Sequence, residues 1–141
     1  MSRKNDRKHA LCLVFALDFE GDKPLFEHYA QFFALDAVEA DISEPDYVQL
    51  VVGTVERYME KIDKLIGDHA EGWDFGRLSR MDKAVMRLAI CEMLFVENIS
   101  PAIAINEAVE LAREYSTDEA PKFVNGVLGK IARNIDDVVF S

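Results

Sequence analysis

Residues 101–130, PAIAINEAVELAREYSTDEAPKFVNGVLGK, spell out two amphipathic helices and the turn that joins them. Ile105, Ala108, Val109 and Ala112 fall at i, i+3, i+4 and i+7, and Phe123, Val127, Leu128 and Ile131 again share one helical face. Between the two stripes lies Tyr115-Ser116-Thr117-Asp118-Glu119. There Ser and Thr are predicted to cap, and the two acids suit the positive end of the following helix. A helical hairpin follows from this pattern.

The same period runs upstream. Ser79, with Asp82 three residues on, opens a helix through Val85, Leu88, Ala89, Met93 and Leu94 that ends before the turn Ser100-Pro101. Residues 69–76 form a linker whose two bulky rings, Trp73 and Phe75, are predicted to plug the seam between two helical layers. Ser43-Glu44-Pro45-Asp46 opens another helix, with a hydroxyl that caps and a proline where a missing N–H costs nothing. Its stripe runs through Tyr47, Leu50, Val51, Val55, Tyr58, Ile62, Leu65 and Ile66 to Gly67. Gly53 lies inside it at a cost of about 1 kcal/mol relative to alanine, which predicts a close helix contact there. Leu25, Tyr29, Phe32 and Phe33 mark an aromatic-rich helix, and Ala10, Leu11, Val14 and Phe15 mark the first one, ended by Gly21-Asp22-Lys23-Pro24. No segment reads as a strand. The fold class is therefore all-α, a compact bundle of about six to seven helices packed by ridges and grooves.

At 141 residues, half of them apolar, the chain has the size of one domain, residues 1–141, able to bury a core. The one shift in composition, at residues 72–76, divides it into helical halves of about 1–71 and 77–141. No apolar run approaches the ~20 residues of a membrane span, and the N-terminus lacks a signal-peptide core. A cytoplasmic location is expected. Cys12 and Cys91 are too few for a disulfide scaffold or a zinc site and read as core thiols.

A net charge of −10 looks adverse to nucleic-acid binding until it is divided along the chain. Residues 1–9 carry +3, residues 10–76 carry −11, residues 77–99 carry +1 and residues 100–141 carry −3. A phosphate responds to the field within a Debye length, about 8 Å at physiological salt, so a basic arm binds while an acidic body faces elsewhere. Arg3, Lys4, Arg7 and Lys8 make up that arm. Four cations neutralise only a few phosphates, which predicts weak binding and a shallow salt dependence.

Catalytic patterns are missing. His9, His28 and His69 lie on separate segments with no second ligand at metal spacing, so no metal and no cofactor is expected. Gly126-Val127-Leu128-Gly129-Lys130 lacks the spacing, the following hydroxyl and the preceding strand of a phosphate loop, and reads as helix. Asp136-Asp137 reads as a solvated face. Without a nucleophile beside a base, the chain is expected not to be an enzyme.

The words INEAVELA and KFVNGVL, preceded by Asp82-Lys83-Ala84-Val85-Met86-Arg87-Leu88-Ala89 and Ser100-Pro101, resemble the C-terminal half of the transcription antitermination factor NusB family. Arg7-Lys8-His9-Ala10-Leu11 followed by Phe15 resembles that family's basic first helix, whereas residues 21–71 match only in helical pattern. The resemblance implies an all-helical fold of two small subdomains and a non-catalytic adaptor. Its partners would be boxA-type single-stranded RNA, the ribosomal protein NusE and, indirectly, RNA polymerase. It would suppress termination, mainly in ribosomal RNA operons. Arg3, Lys4 and Arg7, with Lys8 on the same arm, align with the family's basic cluster, Lys122 and Phe123 with its second RNA contact, and Phe15 and Asp82 with positions that touch NusE. From the residues alone, Phe123 reads equally as a stacking ring or as core. Asn5-Asp6 interrupts the basic run and Glu119 adds negative charge, so RNA affinity without the partner is expected to be low. Two alternatives stand beside this: a homodimeric interaction module without RNA binding, and the RNA-binding domain of a ribosomal RNA cytosine methyltransferase.

Overall fold

A computed structural model describes residues 3–18 and 44–138 of the chain. Five α-helices run through them: α1 (Arg3–Leu17), α2 (Pro45–His69), α3 (Arg80–Phe95), α4 (Pro101–Tyr115) and α5 (Ala120–Arg133). Single 3-10 turns sit at Phe75–Arg77 and Ile135–Asp137, and the described residues contain no strand. The aromatic-rich helix expected around Leu25 to Phe33 and the Ser43 cap fall outside the described residues.

Helix α3 is the axis of the molecule. Nine consecutive residues from Ala84 to Glu92 are buried, a pattern that a helix adopts only when neighbours enclose it on every side. Those neighbours are α1, α2, α4 and α5. The buried side chains of all five helices merge into one cluster, in which Leu11, Ile62, Ile66, Met86, Leu88, Leu128 and Ile131 are shielded from water. Cys91 lies in this core, where burial pushes its thiol up to about 12, and Cys12 is half-buried at its edge.

Local signals account for the helix ends. Ser79 accepts a hydrogen bond from the Asp82 N–H at 3.0 Å, and Ser100 accepts one from the Ile103 N–H at 3.2 Å. Pro45 and Pro101 each occupy the first turn of their helix, where no N–H is needed. Gly72, at φ +80°, turns the chain out of α2 in a conformation that L side chains rarely adopt. A Cβ on Gly53 would meet nothing within 4 Å among the described residues, so none of the described helices packs closely there. Two expectations fail. The turn before α5 takes Glu119 as its N-cap without a side-chain bond, and Ser116 instead donates to Asp82. Trp73 lies outside the seam, 58% exposed, while Phe75 alone packs against the core.

A second tie, unannounced by periodicity, holds the layers in register. Arg87 of α3 is buried, its Nε and Nη2 donating to the two Asp63 oxygens of α2 at 2.7 and 2.8 Å, and its Nη1 to Asp18 at 3.2 Å. Bidentate pairing of this kind satisfies a guanidinium that would otherwise be costly to bury.

Candidate nucleic-acid interface

The first turns of α1 bring four cations to one end of the bundle, and each has a different fate. Arg3 donates to Glu44 at 2.7 Å, and its guanidinium lies 4.2 Å from the centroid of the Tyr47 ring. Lys4 is 68% exposed and reaches Glu107 of α4 at 3.5 Å. Lys8 pairs with Glu114, one helical face along, at 3.0 Å. Arg7 turns inward.

The Arg7 side chain is only 5% exposed and its Nε donates to both oxygens of Glu92 at 3.0 and 2.9 Å. Burial holds the Glu92 carboxyl above the ordinary carboxylate range, while Arg7, by charge and hydrogen bond, pulls in the opposite direction. This is a buried ion pair that fastens α1 to α3. Arg7, expected to contact RNA, commits its guanidinium to Glu92 and, at 3.8 Å, to Glu107, and keeps only a narrow edge toward a groove between α1 and α4. Asp6, which the sequence presents as a break in the basic run, is buried as well and accepts the Glu44 N–H at 3.0 Å. It binds the start of α2 to α1, in place of a side-chain cap that Glu44 does not supply.

Lys122 is exposed in the first turn of α5. Phe123 is half-buried, resting against the core on one side and against Trp73 on the other, ring centroids 5.3 Å apart and planes tilted by 60°. The ring is neither fully enclosed nor free. Phe15, expected to touch a partner, is 3% exposed inside the core. Asp82 is half-buried, with Oδ1 accepting the Ser116 hydroxyl at 2.6 Å, so it joins the start of α3 to the end of α4.

The two basic regions are not isolated from each other. A groove of about 540 Å³ between α1 and α4 is lined by Lys4, Lys8 and Arg113, among others. A second of about 490 Å³ between α4 and α5 is lined by Arg113 and Lys122. Arg113 thus belongs to both, and a band of cations crosses α4 from one end of the surface to the other. Sequence reasoning passed over Arg113 because it sits alone in an acidic helix; the signal was its place on the outer face, opposite Ala108 and Ala112. The band is also countered from within. Glu107, Glu110 and Glu114, spaced along α4, pair with Lys4, Arg113 and Lys8 respectively.

Chemically the surface offers exposed ammonium and guanidinium groups beside a partly open ring, and among the described residues no group of three or more His, Cys, Asp or Glu is placed to hold a metal ion. No helix in the described residues is long and apolar enough to cross a membrane.

A family model described as the NusB family matches residues 4–133. The chain is 40% identical over 134 residues to the transcription antitermination protein NusB of Salinispora arenicola, covering 93% of this chain and 95% of that relative. Among solved structures, T. maritima NusB matches with a TM-score of 0.74 at 29% identity, over 94% of this chain and 92% of that one. A chain from a crystal structure of the antitermination factors NusB and NusE in complex with dsRNA matches with a TM-score of 0.72 at 27% identity, covering 93% and 96%.

Proposed function

The chain belongs to the NusB family, and on that premise we propose that it is a non-catalytic adaptor in transcription antitermination, holding boxA-type RNA and NusE together on one helical body. The adaptor would act in the cytoplasm on nascent transcripts, mainly of ribosomal RNA operons, so that RNA polymerase passes terminators. The observation that carries this reading is the cationic band across α4, which links the start of α1 to the start of α5. Lys4, Lys8, Arg113 and Lys122 supply charge for successive phosphates, Arg3 adds its guanidinium beside them, and Phe123 offers a ring edge to an unpaired base. The likeness to a complex of NusB, NusE and dsRNA supports RNA and NusE as the classes of partner, while the single-stranded boxA-type element is part of the proposal.

Joining two weak contacts is what makes such an adaptor effective, because the second binding event benefits from the raised local concentration set by the first. The acidic body suits a basic ribosomal protein through steering, and Asp82 is our candidate for that contact. The test is charge reversal at Lys4 and Lys122 together. Binding of labelled boxA RNA should weaken while helical content and the melting temperature stay at wild-type values. Unchanged affinity would remove the band from the interface.

A further inference from the structure

Trp73 is the most exposed large apolar side chain among the described residues, and it does not stand alone. It leaves the turn after α2 and leans on Phe123 of α5. The two rings line a shallow depression of about 360 Å³ together with His69, Gly126, two lysines, Lys122 and Lys130, and two acids, Glu71 and Glu119. Its floor is open at Gly126, where even a Cβ would meet nothing within 4 Å. Lys122 belongs to this depression and also to the one it shares with Arg113. Three depressions therefore run in series over the surface, and each shares a cation with the next.

We propose that Trp73 is a stacking platform for an unpaired base, carrying the RNA strand past Phe123 and beyond Lys122. The inference rests on the RNA-binding reading given above and extends the contact surface by one base. An indole face with a neighbouring ring and two lysines at its rim fits a nucleobase with its phosphate, the ring taking the base and an ammonium the phosphate, although Glu119 tempers the charge there. Lys130 does pair with Glu71 at 3.3 Å, but that carboxylate is 82% exposed, so the pair is weak enough for a phosphate to replace it. Base stacking on an aromatic side chain is tolerant of sequence, so this site adds affinity rather than selectivity.

The chain contains one tryptophan, so its emission reports from this site alone. The experiment titrates the full chain with a labelled single-stranded RNA of about a dozen nucleotides, following label anisotropy and tryptophan emission together. Emission should be quenched over the concentrations at which anisotropy rises, and inorganic polyphosphate should leave it unquenched. Trp73→Ala should weaken RNA binding roughly tenfold, and Trp73→Phe much less, with circular dichroism unchanged. Bound RNA without quenching, with Trp73→Ala as tight as wild type, would overturn the inference and leave the RNA reading intact. No rise in anisotropy at all would overturn both. Quenching by polyphosphate, or by NusE without RNA, would also remove the base from this ring.

Discussion

Lys4 and Arg7 lie about one turn apart on α1, and only burial separates their roles. Lys4 keeps its ammonium in water, where its 3.5 Å pair with Glu107 contributes little to stability and yields readily to a phosphate. Arg7 has exchanged water for Glu92, and removal of either partner strands a buried charge. We expect Arg7→Ala to cost about 3–5 kcal/mol of stability. Replacing Arg7 and Glu92 together by apolar residues of similar volume should restore most of it, since a buried pair is seldom worth more than good packing. Chemical denaturation of the two variants is the check, and an Arg7→Ala protein as stable as wild type would refute the structural role.

Helix α4 is where stability and the proposed binding meet, because its outer face anchors the cations of α1 and would compete with RNA for them. Glu110→Gln with Glu114→Gln should remove the carboxylates that oppose Arg113 and Lys8 and strengthen RNA binding by roughly threefold, the worth of exposed ion pairs of a few tenths of a kcal/mol each. Anisotropy of labelled RNA measures this, and weaker binding by the double variant would contradict it. The hairpin of α4 and α5 was legible in the sequence because its spacing is periodic, and Ser79 is legible as a cap because the signal is confined to four residues. Arg7 was not legible. Its partner lies 85 residues away, and no local pattern distinguishes a cation that will turn inward from one that will stay in water. The same holds for Asp6, which reads as a flaw in the basic run and is in fact a tie to α2. Trp73 misled for a related reason: a ring in a turn is normally drawn inside, and only the place of Phe123 on α5 shows that it rests on the surface.

At the scale of the molecule an acidic chain carries, among the described residues, a cationic band across α4, and the band is opposed by the acids of that helix. On the proposed reading such a surface attracts RNA without holding it firmly, and a second partner would raise the affinity by keeping the strand close. Six cations, Arg3, Lys4, Lys8, Arg113, Lys122 and Lys130, bound the number of phosphates neutralised on this reading. For single-stranded RNA, log affinity should fall against log salt with a slope of about −4 or shallower. The decisive measurement is anisotropy of labelled boxA RNA titrated with this chain, with and without NusE, over a range of salt. The account predicts weak, salt-sensitive binding by the chain alone and distinctly tighter binding when NusE is present. RNA affinity that NusE leaves unchanged, or no binding in either condition, would contradict it.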